Sequence, residues 1–374
     1  MGSSDRPGKI PDNPAIEIMI IVFTNRALRR QGLEGGDDTM FGEIQNAKGS
    51  NELRLAIARK DKATGRWSLD LQEDRIRQKE LPSQILFRSV LAQVRAGSLG
   101  PKWVVAVHGY GQSFAASLEE AHGLEQRYQG ERRDQQVNVI LFSWPSRPGG
   151  VVVDPVNTYR RAQAAAVPSA AALAIVLERV WSFFAVPALR GEKAIGSLRV
   201  VPPVRDFSLC LHVHSQGNLV LEMMTRTKAL AVTSVQLDTL ILHQADVDAH
   251  DHQEWIDRIQ FANDVVITLN AWDGILRLSD AINPVRLGIA RSGFSSRATY
   301  FDFTGGRQVG KEHNLFLEVD NTLVRLFCQR ALTGFPVHQM GGEANGFWFD
   351  GSAGTWRLGL RPSAPLGGAQ RPSR

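Results

Sequence analysis

The chain has 374 residues, 43% of them hydrophobic and 22% charged, which is ample for one sizeable core. Its two cysteines, Cys210 and Cys328, exclude a disulfide framework and fit a reducing compartment. The net charge of +5 is spread along the chain with acids and bases mixed. No basic stripe with interleaved aromatics appears, so nucleic acid is not indicated as a partner.

Residues 1–13 read as a flexible polar tail without a signal sequence. A cytoplasmic location is therefore expected, with signal-independent export left open. An α/β domain is expected over 14–335, opening with a strand at 16–26. Leu53, Leu55 and Ile57, then Trp67, Leu69 and Leu71, alternate with polar residues around a turn at 61–65. That pattern predicts an antiparallel hairpin with one wet face. The continuous apolar run 103–108 predicts a buried parallel strand entering Gly109-Tyr110-Gly111, and 137–142 predicts another entering Ser143-Trp144-Pro145.

The Ala-rich stretch 164–176 is expected to be broken at Pro168 and too short to span a bilayer, leaving no transmembrane segment. Leu173, Val176, Leu177, Val180, Trp181 and Phe184 are spaced as one apolar helix face. Residues 185–206, rich in Pro and Gly, read as an insertion before the next strand. Further strands are expected at 239–242, ending in Gln244-Ala245-Asp246, and at 265–269, ending in Ala271-Trp272-Asp273. A last one at 299–303 precedes Lys311-Glu312-His313. Strands alternating with helices predict a mostly parallel central sheet covered on both faces, with polar chemistry at the strands' carboxyl ends. Residues 336–361, with Phe347, Trp348, Phe349 and Trp356, read as a C-terminal appendage, and 362–374 as a disordered tail.

One segment carries most of the chemistry: Leu209-Cys210-Leu211-His212-Val213-His214-Ser215-Gln216-Gly217-Asn218. A strand running into Ser215 and then into a helix puts one hydroxyl on a strained turn above the sheet, as in a nucleophile elbow. The usual G-x-S-x-G has glycines because a Cβ would strike the helix or the neighbouring strand. Gly217 supplies the second glycine, and Val213 stands where the first belongs. The partners of such a serine follow in the order acid, then histidine. Asp273 and His313 do so, each just past an expected strand. His313 is the expected general base, Asp273 the group that orients it, and Asp246 the alternative acid. The amides of Tyr110 and Gln216 are expected to form an oxyanion hole, shaped by His108, Gly109 and Gly111. His212 and His214 are expected on opposite faces of their strand.

Thr24-Asn25-Arg26, Phe41-Gly42, His108-Gly109-Tyr110, Phe142-Ser143-Trp144-Pro145-Ser146, His214-Ser215-Gln216-Gly217-Asn218 and Asp246-Val247-Asp248 form a set, continued by Arg286-Leu287-Gly288 and His313. Together they resemble a bacterial branch of the α/β-hydrolase superfamily, whose members are presumed hydrolases of unknown function. The resemblance implies the α/β-hydrolase fold and a hydrolytic activity, and it names no substrate. Members usually carry Ala-Pro before Asp-Val-Asp, where this chain has Gln244-Ala245, and an Asn-Asp pair where it has Trp272-Asp273.

The expected activity is serine hydrolysis of a carboxylic ester through an acyl-enzyme. A small-molecule or lipid ester is the expected substrate, since Trp144, Trp272, Phe294 and the Ala-rich helix would line an apolar pocket. A non-catalytic binding protein on the same scaffold is the rival reading. No cofactor is expected. His243, Asp246, Asp248, His250, Asp251 and His252 crowd together and have the chemistry of metal ligands. Their spacing matches no metal motif, so a solvated loop and helix start is favoured and no metal is expected.

Overall fold

The computed structural model describes residues 18–29, 36–46, 53–72, 79–147, 154–193, 200–230 and 235–361. The two expected tails, 1–13 and 362–374, lie outside the described residues. An 11-stranded sheet forms the centre of the fold. Its order is Phe347–Asp350, Thr355–Leu358, Thr299–Asp302, Ala262–Leu269, Leu237–His243, Ser208–His214, Lys102–Val107, Val137–Ser143, Ile18–Thr24, Arg54–Lys60 and Trp67–Gln72. From Thr355–Leu358 across to Ile18–Thr24 every pairing is parallel, and the pairings beyond either end are antiparallel. Val137–Ser143 and Ser208–His214 are buried at every position, which is why they read as unbroken apolar runs.

Alternate residues of these strands feed two separate cores. Val105, Val107, Leu209, Leu211 and Val213 pack with the helices Pro82–Arg95 and Pro155–Val180 on one face. Val104, Ala106, Cys210 and Ile241 pack with Phe114–Arg127 and Thr322–Leu332 on the other. The expected hairpin is present as Arg54–Lys60 against Trp67–Gln72. Its turn is held by Asp61 Oδ1, which accepts from the amides of Ala63 and Thr64 at 2.8 and 2.9 Å. Only Trp67–Gln72 keeps a wet face, through exposed Ser68 and Asp70; the other strand is largely buried.

The Ala-rich helix departs from expectation. It runs from Pro155 to Val180 straight through Pro168, then through a π turn at Trp181–Ala185 into Val186–Arg190. A proline removes one backbone donor and crowds the preceding turn. Here burial of Ala162, Ala166, Ala170, Leu173 and Leu177 in the core outweighs that loss. The helical run Val156–Arg190 is long and apolar enough to cross a membrane by length and composition, with half of its apolar stretch buried. The expected insertion accordingly begins only after Arg190. The C-terminal segment extends the sheet, since Thr355–Leu358 pairs with Thr299–Asp302 and Phe347 packs among Phe301, Phe303 and Phe327.

The connections fix where a site can form. After Lys102–Val107 the chain moves to Val137–Ser143 on one side, then returns over the long helix to Ser208–His214 on the other. The carboxyl ends of Lys102–Val107 and Ser208–His214 therefore flank a topological switch point, where open α/β sheets leave a crevice. His108-Gly109-Tyr110 and Ser215 occupy those two ends.

Candidate active site

Ser215 follows its strand with φ +52°, one of only a few non-glycine residues in the left-handed region among the described residues. Such a conformation is costly for a residue with a Cβ and persists only where the surroundings impose it. They do so here through backbone bonds. The Ser215 amide donates to His243 O at 2.9 Å, and its carbonyl accepts from the amides of Asn218 and Asp246, both at 3.1 Å. Asn218 Nδ2 also donates to the carbonyls of Val213 and Ser215. Gly217 meets the demand for a missing Cβ, because one there would sit 2.7 Å from His108 O. Val213, where the motif's first glycine belongs, is accommodated fully buried in the core.

The facing loop approaches closely. A Cβ on Gly109 would lie 2.8 Å from Ser215 Cβ, so only glycine fits. His108 organises this loop: Nδ1 donates to Gly109 O at 2.9 Å, and Nε2 accepts from the Trp144 amide at 3.1 Å. Burial drives the His108 pKa down to about 3, with the charge of Arg26 adding to the effect, so the ring is neutral. Arg26, fully buried, donates to Gln112 O, Ser143 Oγ and Glu43 Oε2, which ties the first strand to the same loop. Among the described residues no acceptor engages the amides of Tyr110 or Gln216. The Gln216 amide belongs to the first turn of helix Gly217–Arg226, whose donors have no partner within the helix.

Asp273 and His313 meet at the next strand ends. His313 Nδ1 lies 2.7 Å from Asp273 Oδ2, which commits that nitrogen and leaves Nε2 available. The carboxylate is fully buried and fully partnered. Oδ1 caps helix Gly274–Asp280 by accepting from the amides of Ile275 and Leu276 at 2.9 Å, and Oδ2 accepts from Gln244 Nε2 at 3.0 Å. Gln244 is thus a site residue that the sequence reading noted only as a departure from the family pattern. Thr268 holds it in turn, accepting from its amide at 3.1 Å. Ser215 Oγ has no hydrogen-bond partner among the described residues, and contacts of this kind often tighten only when substrate is bound.

Asp246 is placed differently. Its carboxylate takes Arg286 Nε at 2.9 Å, Ser279 Oγ at 2.7 Å and Tyr159 Oη at 2.9 Å, all buried. Tyr159 comes from the long helix, so this cluster fastens that helix beside the site; its ring also meets Tyr110 edge-on, with centroids 5.4 Å apart. The three aromatics expected to line one pocket are dispersed. Trp144 is fully buried, donating from Nε1 to His108 O. Trp272 is 46% exposed, and Phe294 packs on Tyr300 beside a groove lined by Leu269, Ala290 and Arg291.

His212 and His214 share one face of their strand, against the expectation of opposite faces. Residues two apart in a strand point the same way, and both rings stack on His243, at 5.5 and 5.1 Å. The six clustered His and Asp residues also go separate ways. His243 bonds Thr268 Oγ1 and the Leu315 amide, while His252 bonds Ala249 O and Tyr300 Oη. Among the described residues no group of three or more His, Cys, Asp or Glu side chains is arranged to hold a metal.

A family model described as "alpha/beta hydrolase of unknown function (DUF900)" matches residues 89–291, which include Ser215, Asp246 and Asp273 and stop short of His313. No curated protein and no solved structure matches the chain.

Proposed function

Since the chain belongs to this family of α/β-hydrolases of unknown function, we propose that it is a serine hydrolase that cleaves a carboxylic ester through an acyl-enzyme at Ser215. The observation that carries this reading is the 2.7 Å bond between His313 and a buried, fully partnered Asp273, with the His313 ring 4.9 Å from that of His214, the residue before a serine held at φ +52°. His313 Nε2 takes the Ser215 proton as Oγ attacks the ester carbonyl. Negative charge then develops on the carbonyl oxygen, facing the free amides of Tyr110 and Gln216. Each such donor is worth about 2.7–4 kcal/mol of barrier. His313 returns the proton to the departing alkoxide, and water, activated by the same nitrogen, releases the acid and restores Ser215. Asp273 keeps the proton of His313 on Nδ1 and stabilises the imidazolium.

An acyl or lipid ester is the favoured substrate. Trp272, the helix capped by Asp273 and the turn after it expose apolar side chains, with Ile275, Leu278, Ile282 and Val285 among them and Leu278 71% exposed. An exposed apolar patch of this kind, on the helix that the candidate acid caps, suits a long acyl chain. Profiling p-nitrophenyl esters tests this: activity should rise from acetate to octanoate, and a strong preference for acetate would refute it. The reaction class is tested by a fluorophosphonate probe. Wild type should be labelled and Ser215→Ala should not. A well-folded wild type that stays unlabelled would remove the basis for the reading.

A further inference from the structure

Helix Phe114–Arg127 turns Ser117, Leu118, Ala121 and Leu124 towards the sheet, and Glu120 lies among them. A carboxylate on an apolar helix face is expensive unless paired. Its partner is His214, the residue before the candidate nucleophile, with Nδ1 3.2 Å from Glu120 Oε1 and both side chains largely buried. The His214 ring then lies against His313, with centroids 4.9 Å apart.

We propose that Glu120 and His214 form a buried positioning pair that fixes the imidazole of His313, one holding the other beneath the base that Asp273 orients from the side. This inference rests on the role given to His313 in the serine-hydrolase reading. His313 then has an in-plane anchor in Asp273 and a ring contact in His214, so its Nε2 is constrained in direction as well as tautomer. The histidine contacts of His214 are His243, at 5.1 Å, and His313. Charged and titratable groups acting on or beside it are Glu120, Asp273, His108, His212, His243 and His313.

Electrostatics support the geometry. Burial opposes charge on His214, but the hydrogen bond and the charge of Glu120 outweigh it and raise the His214 pKa above its usual value. Burial likewise opposes charge on Glu120, and His214 more than offsets it, holding that carboxyl below its usual range. A small cavity of about 10 Å³, roughly the room of one water, adjoins the pair; Glu120, His212 and Asn314 line it. Among the described residues buried His212 Nε2 and Asn314 Oδ1 have no partner, so the wall beside the pair is polar.

The test is histidine-ring NMR on ¹⁵N-labelled full-length protein, wild type against Glu120→Gln, with fluorophosphonate labelling rates measured alongside. In wild type the His214 ring should titrate above an ordinary imidazole, with its proton shared towards Glu120. In Glu120→Gln the His214 titration should move down, and the His313 ring signals should move with it. Labelling should slow by about tenfold, with partial recovery in Glu120→Asp. Unchanged His313 ring signals in a folded Glu120→Gln would overturn the proposal. If that variant does not fold, Glu120→Asp, which keeps the charge on a side chain too short to reach His214 unchanged, should move the His313 ring signals part of the way, and no movement at all refutes the proposal. Loss of the serine-hydrolase reading would show instead as an unlabelled wild type, whatever the rings report.

Discussion

At the scale of single residues, the candidate site depends on side chains that leave the carboxylate of Asp273 no freedom. Gln244 donates to the same oxygen as His313, from a backbone with φ +41°. A hydrogen bond to a charged group contributes about 1.5–3 kcal/mol. Gln244→Ala should therefore lower kcat roughly tenfold while leaving KM nearly unchanged, because Gln244 orients the acid and is not expected to touch substrate. Steady-state kinetics on any ester found by the screen would decide it; a rise in KM at constant kcat would place Gln244 at the substrate instead. Ser215 was legible in the sequence because a strand–serine–helix junction has few other uses. Gln244 was not, since a polar residue at a strand end reads equally well as turn chemistry. Glu120 was hidden for another reason: an acid within a helix looks solvated until the helix face it occupies is known.

Whole elements are joined by the cluster around Asp246, which locks the start of the long helix, through Tyr159, to helix Gly274–Asp280, through Ser279. The Arg286–Asp246 ion pair is 5% and 4% exposed. Removing one partner of a buried pair strands the other and costs about 3–5 kcal/mol. Asp246→Ala should thus lower the melting temperature strongly yet leave the folded fraction open to the serine probe. Asp273→Asn should do the reverse, keeping most of the stability while slowing labelling by about 10⁴-fold. If the two variants exchanged these phenotypes, Asp246 would be the acid. Strand positions and the hairpin were readable because apolar runs and alternation survive into three dimensions. Two elements were not. Pro168 looked like a break because local propensity opposes a helix there, whereas long-range burial decides the outcome. The C-terminal strands looked like an appendage because pairing with Thr299–Asp302 spans some fifty residues of chain and leaves no local mark.

The molecule as a whole carries neutral histidines in its interior, and that sets how it responds to acid. Burial depresses His108 and His212 to about 3, with His212 further lowered by His214, and His243 falls well below its usual value for the same first reason. Their unfolded value is near 6.5. Between these limits the unfolded chain binds protons that the folded protein refuses, so stability is present above about pH 6.5 and is lost as pH falls toward 3. Each such group contributes a slope of about 1.4 kcal/mol per pH unit. His214 works in the opposite sense: its raised pKa favours the fold at low pH, and that contribution disappears as pH rises through its folded value. The net expectation is a urea midpoint that drops steeply between pH 6 and pH 4. His212→Phe isolates one share of the effect, since its ring lies 4.5 Å from Phe316 and its Nε2 has no partner to lose among the described residues. That variant should unfold with a pH slope shallower by about one proton, and so gain on wild type as the solution is acidified. Parallel slopes for the two proteins would mean that His212 is already charged in the fold.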